Sequence, residues 1–431
     1  MKVLWVCNVV PLPAIAQELR LDTPVVGGWM TGLADELVQR PDIELSVCFP
    51  LVGVDGVVRG RAGEVDFYAF PARRRVPFLD LVDERDTSGP LRAGLARIVA
   101  DAGPDLLHVF GTEFGHALAA VEAFGLPERT LVTIQGLTSI AAGHYLGSLP
   151  PRVRHRPAVS NLVRGSLARQ STMLAERGKV EVATLRAAGH VSGRTDWDRA
   201  CTLQINPDAT YHHCPEALRA SFYEGEWRRD GVEPHSILMT QGSNPVKGLY
   251  YLLDALPELL RRFPRAHLYV AGTDPTAARG SYEWLKRSAY GSYLAGLIRD
   301  RGLEASVSFL GPLTAPQMRE RLLRSHVFVS ASTIENSSNG LCEAQLLGVP
   351  CVASFVGGIP SLLDHGVDGF AYQHDAPYML AHYVGELFDR DDLAESFSRR
   401  GRLRAQRRHD RAAVATEQVA IYESMLGVSG R

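Results

Sequence analysis

The sequence predicts an α/β protein made of two Rossmann-like domains facing a central cleft. Three observations lead there. Short apolar runs alternate with helical patterns through both halves of the chain, the rhythm of parallel sheets covered on both faces. The alternation stops in a polar, proline-punctuated stretch at 201–235 and then restarts. Lys247 and Glu335 each follow the C-terminal end of a predicted strand, the side on which such sheets bind ligands. The boundaries fall at 1–205, 206–410 and a terminal helix at 411–431.

A chain of 431 residues has room for two or three cores. With 45% apolar and 22% charged residues its composition is ordinary for a globular protein. A net charge of −2 gives no field that would argue for nucleic acid. The six cysteines form no CxxC pair and read as small core residues. The N-terminal apolar run is interrupted by Asn8 and Pro11, so it reads as a buried first strand and not as a leader. No stretch reaches eighteen apolar residues, which points to the cytoplasm.

In the first half, Val3–Cys7, Glu44–Phe49, Val65–Phe70, Leu106–Phe110, Thr130–Ile134 and His190–Ser192 are predicted strands. Gly27-Gly28 opens a helix whose Trp29, Leu33 and Leu37 recur at helical spacing, and Leu91–Ala102 is a second helix. No GxGxxG follows the first strand, which disfavours a dinucleotide-dependent oxidoreductase. Asn206-Pro207, Cys214-Pro215 and Glu233-Pro234 mark the linker. His212, His213, Cys214 and Glu216 lie close in sequence, but no second cluster has metal-ligand spacing, so no metal is expected. In the second half, Ile237–Thr240, His267–Ala271, Val307–Leu310, Val327–Ser330 and Pro350–Ser354 are strands. A helix carrying Leu249, Leu252, Leu253, Leu256, Leu259 and Leu260 follows the first of them.

The stretch from Ser330 to Gly358 carries the chemistry. Glu335 and Glu343 have seven residues between them. On one helix, positions eight apart point about 80° apart and make a poor joint site. Asn336, Ser337, Ser338, Asn339 and Gly340 are turn and cap formers, so the helix is expected to start near Asn339. Both acids then face its N-terminus, where unpaired N–H groups and a partial positive charge suit an anion. Carboxylates accept sugar hydroxyls, so the combination suits a sugar nucleotide. A capped helix with an acidic first turn explains the same pattern.

Glu335-x7-Glu343, with Gly348-Val349-Pro350, Gly357-Gly358-Ile359-Pro360 and Asp368-Gly369-Phe370, resembles the signature of the GT-B glycosyltransferases of family 4 over about forty residues. The resemblance implies the GT-B fold, with the terminal helix crossing back onto the first domain. It also implies retaining, metal-independent transfer from a nucleotide-diphospho-sugar co-substrate, a UDP-sugar, in the synthesis of a cell-surface polysaccharide or glycolipid. It assigns Lys247 to the donor diphosphate and Glu335 to the donor sugar. Glu343 would bind the ribose, the N–H groups of Asn339, Gly340 and Leu341 the sugar and distal phosphate, and Gly311, Pro312 and Leu313 the base. Gly27 and Gly28 would approach the phosphates, and Gly242 and Ser243 lie in the Lys247 loop.

The chain departs from the pattern twice. Gly242 stands where an Arg is common, which leaves Arg194 or Arg279 as substitute cations. Gln135 stands where a His is common, so no acid–base role carries over; His144 and His116 are near it in sequence. The acceptor is expected on the first domain. The seven basic residues between Arg152 and Lys179, interleaved with Leu162, Val163, Leu167, Met173 and Leu174, read as a peripheral membrane contact for a lipid-linked acceptor or as a solvated helix face. A sugar-nucleotide epimerase and a non-catalytic sugar-nucleotide-binding or glycan-binding paralogue are the competing functions.

Overall fold

The computed structural model describes residues 1–21, 28–72, 74–76, 79–82, 86–156, 165–277 and 287–427. The chain divides into two compact units, Met1–Ile140 with Ala175–Arg219 and His409–Arg431, and Ala141–Leu174 with Ala220–Arg408. Residues 141–174, which the sequence boundaries put in the first domain, cluster with the second unit. Hydrogen bonds explain this: Thr333 Oγ1 donates to the His144 carbonyl (2.9 Å) and the Tyr251 hydroxyl to Ser148 Oγ (2.8 Å).

The first unit contains β1 (Lys2–Val6), β2 (Glu44–Leu51), β3 (Val58–Ala62), β4 (Val65–Pro71), β5 (Arg74–Val76), β6 (Leu79–Val82), β7 (Leu106–Phe110), β8 (Thr130–Thr133), β9 (His190–Gly193) and β10 (Thr210–His213). Eight of them form one sheet in the order β10-β9-β8-β7-β1-β2-β4-β3, and β5 pairs with β6. Only β3 runs antiparallel in the large sheet. Because side chains alternate along a strand, Val3, Trp5 and Cys7 enter one core layer and Leu4 and Val6 the other. Burial on both faces is why β1 reads as an unbroken apolar run. The terminal helix Arg411–Met425 supplies Ala415, Val419 and Tyr422 to the first layer.

Short strands escaped the sequence pattern: β3, β5 and β10 carry few apolar residues, and β6 is only four residues long. The stretch read as linker is structured. Thr195 and Asp198 close a capping box on the helix Asp196–Ile205, and β10 then forms the sheet edge. Edge strands tolerate polar sequences because one side stays unpaired.

A polar chain crosses the first unit's core. Trp5 Nε1 donates to the Tyr422 hydroxyl (3.1 Å), which lies 2.6 Å from His108 Nδ1, and His108 Nε2 lies 2.7 Å from Thr133 Oγ1. Since the indole can only donate, the phenol donates onward to Nδ1, and the imidazole is held neutral with its proton on Nε2. Burial lowers the His108 pKa to about 3 and that of His116 to about 4, from 6.5. The unfolded chain therefore binds protons that the folded one refuses, and stability is lost as pH falls below about 6.5. Thermal unfolding is expected to show each histidine costing about 2 kcal/mol by about pH 5. His116→Gln should flatten the slope; an unchanged slope would contradict the buried neutral state.

The second unit contains β11 (Glu233–Thr240), β12 (His267–Ala271), β13 (Val307–Gly311), β14 (Ser325–Ser330), β15 (Cys351–Ser354) and β16 (Phe370–Tyr372). They form a sheet in the order β13-β12-β11-β14-β15-β16, and every pair is parallel. The helix Leu249–Arg262 buries Leu249, Leu252, Leu253, Leu256 and Leu259, the stripe its spacing predicts. The C-terminal basic stretch is two helices, Asp391–Arg408 and Arg411–Met425, and Asp410 caps the second by accepting from Ala413 N (2.8 Å).

Candidate functional site

The second sheet reverses direction at β11. From there β12 and β13 go one way and β14, β15 and β16 the other. Open parallel sheets bind ligands at such a switch point, outside the strand C-termini. The loops that leave β11 and β14 there carry Lys247 and Glu335. Lys247 Nζ lies 2.7 Å from Glu335 Oε2, with side chains 22% and 13% exposed.

The local sequence builds this pair. Pro245–Lys247 is one 3₁₀ turn, capped by Asn244 Oδ1, which accepts from Val246 N (3.1 Å). Gly248 ends the turn at φ +69°, and a Cβ there would lie 2.0 Å from the Ala331 carbonyl oxygen. Only glycine meets both demands. Gly242 is needed for space, since a Cβ would lie 2.6 Å from Val270 Cγ1 and 2.8 Å from Leu249 Cδ2. An arginine at this position would have to displace both side chains. Ser243 is exposed in the same loop.

Glu335 is held on three sides. Its carboxylate takes Lys247 and the Ser332 hydroxyl (2.9 Å), and its carbonyl accepts from Gly358 N (2.9 Å). A Cβ on Gly357, at φ +49°, would lie 2.1 Å from that carbonyl oxygen. The diglycine thus lets the loop after β15 close on the Glu335 backbone. Ser332 is a partner that no spacing rule in the sequence announced.

The helix starts at Asn339, as the turn formers predict, and runs to Leu347 with Ser338 as its cap. Leu341 N donates to Ser338 Oγ (3.4 Å), so of the three N–H groups nominated for an anion, this one is already engaged. Gly340 packs tightly, with a Cβ position 3.1 Å from Thr240 Oγ1. Glu343 lies in the second turn, 6% exposed. Gly311, at φ +72°, ends β13 on the sheet edge; its carbonyl accepts from Gly272 N (2.9 Å), and exposed Pro312 and part-buried Leu313 follow.

Apart from His144, which falls in the second unit, the remaining nominees lie in the first unit or outside the described residues. Gly27 and Arg279 are outside them, and Gly28 opens the helix Gly28–Leu37. Arg194 is buried in an ion pair with Glu216, their side chains 5% and 6% exposed. Its Nη2 also donates to the carbonyls of Ile134 (3.1 Å) and Gln135 (2.9 Å). Gln135 Nε2 donates to Glu216 Oε1 (3.4 Å). His116 is buried against Asn8 Oδ1 (3.0 Å). His212 pairs with His190 (2.9 Å), Cys214 Sγ lies 3.8 Å from Gln418 Oε1, and Glu216 holds Arg194, so the sequence cluster at 212–216 disperses to separate partners.

The basic stretch is partly committed as well. Arg177 pairs with Glu113 (3.2 Å), Lys179 with Glu176 (2.7 Å), and Arg154 donates to the Leu149 and Gly147 carbonyls. Leu162, Val163 and Arg164 lie outside the described residues. Among the described residues no helix is long and apolar enough to cross a membrane.

Residues 235–390 match the family model described as Glycosyl transferases group 1. The phosphatidyl-myo-inositol mannosyltransferase of Mycobacterium tuberculosis is 27% identical over 49% of this chain and 54% of its own. The chain spans about half the length of the relatives it matches. The sucrose-phosphate synthase of Thermosynechococcus elongatus superposes with a TM-score of 0.69 at 16% identity, covering 100% of both chains. Anabaena Alr3699/HepE in complex with UDP-glucose superposes at 0.63 with 17% identity, over 98% of this chain and 100% of that one. The fold is that of the GT-B glycosyltransferases.

Proposed function

We propose that the chain is a retaining glycosyltransferase of the E-x7-E class that moves a sugar from a UDP-sugar to a glycan or lipid-linked acceptor. The observation that carries this is the Lys247–Glu335 pair at the switch point of the second sheet. An ammonium at this place can neutralise the charge that develops on a leaving diphosphate. A carboxylate at the same place can accept hydroxyls of the sugar that leaves it. Front-face displacement lets the leaving phosphate take the acceptor's proton, so the reaction asks for no protein base, and Gln135 in place of a histidine does not obstruct it. Glu343 would take the ribose, and Gly311, Pro312 and Leu313 the base. The UDP-glucose held by the Anabaena protein supports the donor class. The mycobacterial relative's name supports a lipid acceptor, which would suit cytoplasmic work at a membrane surface.

A thermal-shift panel of UDP, GDP, ADP, their sugar conjugates and NAD(P) tests the reading. One nucleotide family at 100 times its dissociation constant should stabilise the protein by about 2.7 kcal/mol. A shift with NAD(P) alone, or none, would overturn it. The transfer is also expected to be metal-independent, so excess EDTA should leave turnover within a factor of about two; loss restored by Mg²⁺ would refute that part. An epimerase would convert the nucleotide-sugar without releasing nucleoside diphosphate, and a non-catalytic paralogue would bind it unchanged.

A further inference from the structure

Residues 144–149 lie between two predicted elements of the first sheet, yet they pack into the second unit. There they are fastened to the two loops that carry Lys247 and Glu335. Thr333, two residues before Glu335, donates its N–H to the Val246 carbonyl (2.7 Å) and its hydroxyl to the His144 carbonyl (2.9 Å). Val246 in turn is the neighbour of Lys247. A few residues on, Ser148 N lies 3.3 Å from the hydroxyls of both Tyr250 and Tyr251, and the Tyr251 hydroxyl donates to Ser148 Oγ (2.8 Å). Gly147, at φ +46°, permits the approach: a Cβ there would lie 2.2 Å from the Tyr250 hydroxyl and 2.7 Å from Thr333 Cγ2. The Arg154 guanidinium folds back on the Leu149 carbonyl (2.6 Å) and braces the segment from behind.

Most of this fastening uses backbone groups, which leaves the imidazole of His144 unburied at the end of the helix Thr138–His144. We propose that this segment is a wall of the Lys247–Glu335 site and that His144 reads a hydroxyl of the transferred sugar. The inference rests on the donor-site reading above. A neutral imidazole offers one donor and one acceptor, the complement of a hydroxyl. A sugar accepted by Glu335 would sit two residues from Thr333, whose hydroxyl ties that loop to the wall at His144. The role is one of recognition: His144 contributes to affinity for the sugar, and the diphosphate keeps its own contacts.

Calorimetric titration of matched pairs, UDP with UDP-glucose and GDP with GDP-mannose, tests this on the full chain. Wild type identifies the pair that binds. For that pair, His144→Ala should weaken the sugar conjugate about five- to tenfold, the value of one hydrogen bond, and leave the free diphosphate within twofold. His144→Gln, which keeps a donor and an acceptor, should recover part of the loss. Gly147→Ala, which pushes the wall off Tyr250 and Thr333, should reproduce the selective loss with His144 intact. If His144→Ala binds both members as wild type does, or weakens both equally, the proposal is overturned while the donor site stands. If wild type binds neither pair, the donor-site reading falls and takes this inference with it.

Discussion

Lys247→Ala is expected to slow release of nucleoside diphosphate from the donor by about 10²- to 10³-fold, the usual cost of removing one preorganised group aimed at developing charge. The fold should survive. The ion pair with Glu335 is part-buried, 22% and 13% exposed, and the carboxylate keeps the Ser332 hydroxyl, so the loss lies between about 1 kcal/mol, as for an exposed pair, and about 3–5 kcal/mol, as for a buried one. The companion variant is more discriminating. In the absence of donor, Glu335 occupies the ammonium that a phosphate would want. Glu335→Gln removes the competing anion, so free UDP should bind as tightly as to wild type or more so. The carboxylate that accepts sugar hydroxyls is then gone, and turnover should fall together with the preference for the conjugate. A Lys247→Ala protein that turns over within threefold of wild type would remove the diphosphate role. A Glu335→Gln protein that loses UDP binding would show that the carboxylate supports the nucleotide and not the sugar.

The parts legible in the sequence are those fixed by local chemistry. The helix start at Asn339 was readable because five cap and turn formers, Asn336 to Gly340, stand together around it. The strands buried on both faces, β1, β7 and β14, were readable because each carries a dense apolar run, interrupted by His108 in β7 and confined to Val327, Phe328 and Val329 in β14. The strand rhythm put Lys247 and Glu335 after strand C-termini, but their approach depends on β14 pairing with β11, a strand order that the rhythm does not specify. What escaped is tertiary. Nothing in Ala141–Leu174 says with which unit it packs, because the bonds that decide it come from Tyr251 and Thr333, far along the chain. Nor does the spacing of Arg194 and Glu216 distinguish a donor-binding cation from a structural one. That depends on burial, and burial is a property of the folded unit.

Breaking the Arg194–Glu216 pair is therefore expected to act on stability and not on donor affinity. Both side chains are about 95% buried, at 5% and 6% exposure. Glu216→Gln leaves a guanidinium inside the first unit with only neutral acceptors, the new amide oxygen and the Ile134 and Gln135 carbonyls. Removing one partner of a buried pair costs about 3–5 kcal/mol, and in a unit of this size that lowers the melting temperature by roughly 10 °C. Arg194→Met should cost a similar amount, because the Glu216 carboxylate, already pushed to a higher pKa by burial, loses its counter-charge. The double variant Arg194→Met with Glu216→Met should melt above either single one, since two apolar side chains leave no buried charge unpaired. Throughout the set, affinity for the nucleotide measured below the melting range should stay within twofold of wild type. An Arg194→Met protein as stable as wild type but unable to bind nucleotide would return Arg194 to the donor site, and with it the substitute for the arginine that Gly242 displaces.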